Sequence, residues 1–168
     1  MTPRRRRSTR RSAANSRTRH SPRTVTLLID ECLGRHAVPE ALKGLGLDVR
    51  LHSDIFPSGI DDAAWLSALA SQSDVSVLSK DRQIRKRTIE LEAVIAGGVR
   101  LFILTSAGLN SREQADAFVK AHKRILRFSQ QSGPFIATVT ASGKVRIAFD
   151  GRSAARRSRR LRRIVRKK

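Results

Sequence analysis

The chain has 168 residues, with 35 Lys and Arg against 14 Asp and Glu, a net charge of +21. One domain of ordinary size is expected at this length. A single cysteine, Cys32, excludes a disulfide framework and a cysteine-built zinc site. The scarcity of aromatic residues argues against a stacking platform for single-stranded bases. No apolar run is long enough to cross a bilayer, so a soluble, cytoplasmic protein without membrane contact is expected.

The charge is segregated. Residues 1–23 carry nine arginines and no acid, and residues 151–168 carry ten Arg and Lys and no acid. The remaining 16 bases and 14 acids leave residues 24–150 nearly neutral, at +2. The first segment is too poor in apolar residues to offset its chain entropy and is read as a disordered arm. Its composition also suits a transit peptide, but no apolar stretch follows before Val25. In the last segment Leu161, Ile164 and Val165 fall at helical spacing among arginines, the pattern of a short cationic amphipathic helix. Two basic arms point to a polyanion as partner, bound without sequence specificity. They are equally compatible with no more than a solubilising role.

The central part predicts alternating strands and helices. Val25–Ile29 is a short apolar run ending in Asp30 and Glu31, as in a buried strand that delivers acids to its carboxyl end. A helix around Pro39–Leu45 stops at Gly44 and Gly46. A second strand covers Asp48–His52, and a helix opens at Asp61 with Trp65, Leu66 and Leu69 on one face. The third strand, Val75–Leu78, closes in Ser79, Lys80 and Asp81. Thr88 is expected to cap a helix through Ala96, followed by a buried strand over Val99–Leu104. Ser111–Phe128 holds the clearest helical period, and Phe135–Thr140 with Lys144–Phe149 predicts a terminal hairpin. This order implies a three-layer α/β fold with a mostly parallel central sheet, plus the hairpin and the two basic tails.

In such a sheet, ligands bind outside the carboxyl ends of the strands. Asp30, Glu31, Asp54 and Asp81 leave strands there, and Asp61 and Asp62 open a helix on the same rim. So many acids repel one another unless a cation compensates, and carboxylates without His or Cys suit a hard ion, Mg2+ or Mn2+. Blander roles exist beside this one. Asp61 suits a helix cap, Asp62 a positive first turn, and Asp54 a loop turn. Asp30 is harder to explain without function, because it pairs burial with a neighbouring acid. Lys80 and the run Arg82-Gln83-Ile84-Arg85-Lys86-Arg87 adjoin the acids as a clamp for phosphates, or else as a solvated face. His122 reads as a structural histidine and Cys32 as a small buried side chain.

The series Leu28-Ile29-Asp30-Glu31, Leu45-Gly46-Leu47-Asp48-Val49, Asp62-Ala63-Ala64-Trp65-Leu66 and Leu78-Ser79-Lys80-Asp81 resembles the PIN-like domain family, the VapC-type ribonuclease toxins and their relatives, over about residues 25–149. The resemblance implies a metal-dependent ribonuclease with Asp30, Asp62 and Asp81 as the metal set. Asp54 stands beside them as a further ligand and Glu31 as a further catalytic acid. It leaves room for an antitoxin partner and a homodimer, and it implies Thr105 as a donor to an acid or a water. The chain departs from the family where Cys32 stands in a position often held by Asn, and Glu40 is the one candidate for a separate glutamate on the first helix. The competing reading is a non-catalytic RNA- or ribosome-binding protein. A phosphoacceptor receiver domain is excluded, since Lys80 follows the third strand instead of a later one.

Overall fold

The computed structural model of the chain describes residues 24–84 and 86–151. The two basic arms beyond Gly151 and before Thr24, and Arg85 of the basic run, lie outside the described residues.

Six strands form one sheet in the order β2-β1-β3-β4-β5-β6: β1 (Thr26–Ile29), β2 (Asp48–Leu51), β3 (Val75–Ser79), β4 (Arg100–Leu104), β5 (Phe135–Val139) and β6 (Val145–Asp150). The first five run parallel, and β6 turns back against β5 as the expected hairpin. Helices α1 (Ala37–Lys43) and α5 (Ser111–Ser129) cover one face, and α3 (Asp62–Ala68) and α4 (Thr88–Ala96) cover the other. The alternation of each strand divides its side chains between two cores. Leu27, Ile29, Phe102 and Leu104 pack under α1 and α5, while Leu28, Val77, Leu101 and Ile103 pack under α3 and α4. Burial on both faces is why these strands read as continuous apolar runs.

Helix α5 owes its boundary to a capping box, in which the Asn110 side chain accepts from the Glu113 N–H at 3.0 Å and Glu113 accepts from the Asn110 N–H at 2.8 Å. Pro39 falls at the third position of α1, inside the first turn, where a missing N–H breaks no helical bond. The turn between β5 and β6 needs Gly143 twice over. Its φ is +74°, and a Cβ there would stand 2.6 Å from the Cβ of Lys120 in α5.

Three local expectations are corrected. Strand β2 ends at Leu51, and His52–Ile55 form a short helix, α2, because the His52 ring is buried against Phe56 and Trp65. Thr88 is the first residue of α4 and not its cap; Arg87 holds the cap position without a side-chain bond. Asp61 does sit at the cap position of α3, but its side chain makes no capping bond there.

Candidate functional site

Because β1 to β5 are parallel, their carboxyl ends share one rim. Residue parity directs Asp30, next after β1, and Ser79, last in β3, to the side of the sheet that carries α3 and α4. Asp62 is the first residue of α3 and Glu90 the third of α4, so both helix starts bring an acid to that same side.

One carboxylate oxygen from each of Asp62, Asp81 and Glu90 lies within 4.8 Å of the other two. Each acid is held by a local donor. The Trp65 indole N–H donates to Asp62 Oδ1 at 3.0 Å, and the Gln83 backbone N–H donates to Asp81 Oδ1 at 2.7 Å. Arg87 Nη1 donates to Glu90 Oε1 at 2.7 Å, and this bond, ahead of the Glu90 charge and the weaker fields of Asp81 and Asp62, pushes the guanidinium pKa up. Glu90 is buried, and its second oxygen, Oε2, has no hydrogen-bond partner among the described residues.

Asp30 stands one hydrogen-bonded step from this group. Its Oδ2 accepts from Ser79 Oγ at 2.6 Å and from Cys32 Sγ at 3.0 Å, and Ser79 Oγ in turn accepts from the Asp81 N–H at 2.9 Å. Burial, then the Asp30 charge and the bond to it, push the Cys32 thiol up to about 12, so it stays protonated and donates. Of the three aspartates expected to converge, Asp62 and Asp81 therefore meet directly, and Asp30 is tied to Asp81 through Ser79.

The other candidates lie outside this cluster. Glu31 is exposed, with Oε1 3.4 Å from Nδ1 of the buried His52, within ion-pair distance but not aligned as a hydrogen bond. Asp54 is exposed and pairs with Arg35 at 3.3 Å, and Glu40 pairs with His36 on the surface at 3.3 Å. Lys80, Arg82, Lys86 and Arg87 are exposed. Arg82 Nη1 reaches the Thr105 carbonyl at 3.4 Å. Thr105 Oγ1 donates to the Val139 carbonyl at 3.2 Å, a bond across the sheet in place of the expected one to an acid or water.

Sequence reasoning missed Glu90, Ser79 and His52. Glu90 is one of two acids, with Glu92, in the mainly apolar stretch Thr88–Ala96, so the sequence does not single it out. Nor does it single out the others, since their roles follow from pairing between strands and from ring packing.

The donor set fits a hard divalent cation. It consists of carboxylates alone, and a buried carboxylate oxygen without a partner is the kind of atom such an ion satisfies.

A six-stranded, mostly parallel sheet between helices, with acids gathered at its carboxyl rim, is an α/β architecture consistent with a PIN-like fold. The sequence model described as "PIN like domain" matches residues 25–106, so over this stretch the chain is similar to that family. It is 28% identical over 125 residues to the Mycobacterium tuberculosis protein named "Putative ribonuclease VapC45", covering 72% of this chain and 90% of that one. No solved structure matches the chain significantly.

Proposed function

We propose that the chain is a divalent-metal-dependent ribonuclease, the toxin of a toxin–antitoxin pair acting in the cytoplasm, with Mg2+ or Mn2+ as its ion and a homodimer as its assembly. The observation that carries this reading is the meeting of the Asp62 and Asp81 carboxylates, with Asp30 joined to the Asp81 backbone through Ser79. The PIN-like match and the ribonuclease name of the relative support RNA as substrate and an antitoxin as partner.

Asp30, Asp62 and Asp81 would hold the ion, with Asp54 near the same edge as a further ligand. A divalent cation there would supply positive charge that acidifies a water and offsets charge on a phosphoryl oxygen. Trp65 and Ser79 keep Asp62 and Asp30 in fixed orientations. Glu31, exposed at the end of β1, orients the attacking water. Lys80, Arg82, Arg85, Lys86 and Arg87 bind phosphates next to the reacting one.

The test is a cleavage assay on RNA and DNA, with and without Mg2+, comparing the wild type with Asp30→Asn. Cleavage is expected to need the ion and to fall in the variant by about two orders of magnitude or more, the scale on which removing one electrostatic element of a reaction site acts. Salt-sensitive RNA binding and the melting temperature in EDTA should stay as they are. Wild-type cleavage by Asp30→Asn would overturn the assignment. RNA binding with no cleavage by either protein would favour the non-catalytic reading.

A further inference from the structure

We infer that helix α4 supplies a further carboxylate, Glu90, to the cation site, and that Arg87 is its removable counter-ion, competing with the divalent cation for that carboxylate. The inference rests on the reading of Asp62 and Asp81 as cation ligands and adds two residues on which motif order is silent.

Burial of the Glu90 side chain, which is 9% exposed, has to be offset by partners. Arg87 satisfies Oε1 alone. Oε2 is left without a hydrogen bond among the described residues, while a Glu90 oxygen lies within 4.8 Å of oxygens from Asp62 and Asp81. A bidentate pair would satisfy both oxygens, whereas this one leaves Oε2 open and the residue beside two further carboxylates. Against three carboxylates, the one guanidinium leaves two negative charges uncompensated, so the site attracts further positive charge.

Arg87 is placed to leave. Its side chain is 58% exposed, and the pair borders a groove of about 410 Å³ lined by Asp61, Ala63, Arg87, Thr88, Ile89 and Glu90. Exchange of a singly charged, half-exposed guanidinium for a doubly charged ion is favoured by Coulomb attraction at every one of the three acids.

The test is Mn2+ binding to the full-length chain without RNA, read from the electron paramagnetic resonance signal of free Mn2+. It compares the wild type with Glu90→Gln, Glu90→Asp, Arg87→Gln and Asp62→Asn, each checked for an unchanged melting temperature in EDTA. Glu90→Gln should weaken Mn2+ binding by about tenfold or more, since loss even of an outer partner of a metal site costs that much. Glu90→Asp, which keeps the charge, should recover part of it. Arg87→Gln should tighten binding by about two- to fivefold, the scale of an exposed ion pair. If Asp62→Asn weakens binding and Glu90→Gln does not, the cation site stands and Glu90 is not part of it. If Glu90→Asp binds no better than Glu90→Gln, the carboxylate is not a ligand. Unchanged or weaker binding by Arg87→Gln overturns the competition. If the wild type binds no Mn2+, or neither Asp62→Asn nor Glu90→Gln alters binding, the reading of the cation site itself falls.

Discussion

The Cys32 thiol donates to the same Asp30 oxygen that Ser79 holds, so two donors converge on Oδ2 and turn Oδ1 away from them. The protonated thiol thus acts as a hydrogen-bond donor to the carboxylate, as an amide N–H would, if a weaker one. Its pKa, raised from 9.0 to about 12 chiefly by burial, makes the arrangement testable. The unfolded thiol ionises first as the solution becomes alkaline. The thiol's contribution to stability is therefore complete below pH 9 and is lost as pH rises from 9.0 towards 12. In metal-free buffer near pH 8, iodoacetamide should alkylate Cys32 of the folded protein far more slowly than in urea, because the thiolate fraction is roughly a thousandfold lower. Cys32→Ser should lose less stability than the wild type between pH 9 and 12. Alkylation of the folded chain at the unfolded rate would show that Asp30 and burial do not hold the thiol.

At the scale of elements, α5 shows what a cap adds to a helix already held by packing. Phe118, Ala121 and Ile125 bury one side of it against the sheet, and the Asn110–Glu113 box satisfies two backbone donors that would otherwise be open at its start. Asn110→Ala should cost about 1 kcal/mol in a denaturant titration, the usual worth of such a cap. No loss would mean that packing alone sets the start of the helix. The apolar period of α5 was legible in the sequence, as were β1, β3 and β4, since burial on both faces of a parallel sheet writes itself as an unbroken apolar run. Other features depend on contacts that no local window contains. His52 leaves the strand pattern because Trp65 and Phe56 enclose its ring. Asp62 and Asp81 could be placed on the rim from topology alone. Glu90 could not, because an acid in the first turn of a helix is ordinary, and only the approach of α3 to α4 sets it beside two other carboxylates.

Across the whole chain, the basic residues outnumber the acids almost entirely through the segments 1–23 and 151–168, while residues 24–150 carry only +2 and contain every acid. A near-neutral body with carboxylates at its rim attracts a polyanion weakly, so on the proposed reading most of the attraction for RNA is expected from the arms. Counterion release turns this into a measurement. For single-stranded nucleic acid, log K falls with log salt at about 0.7 per phosphate neutralised. Replacing the ten Arg and Lys of residues 151–168 by Gln should therefore flatten the salt dependence of RNA binding by about 0.7 for each contact that segment makes. Mn2+ affinity in the absence of RNA should not change, because no ligand of the rim lies in that segment. A slope equal to that of the wild type would assign the phosphate contacts to the rest of the chain, to the arginines of residues 1–23 or to Arg82, Lys86 and their neighbours. A fall in Mn2+ affinity with the tail charges removed would mean that the tail and the acidic rim act on each other, and that binding and catalysis are not carried by separate parts of the chain.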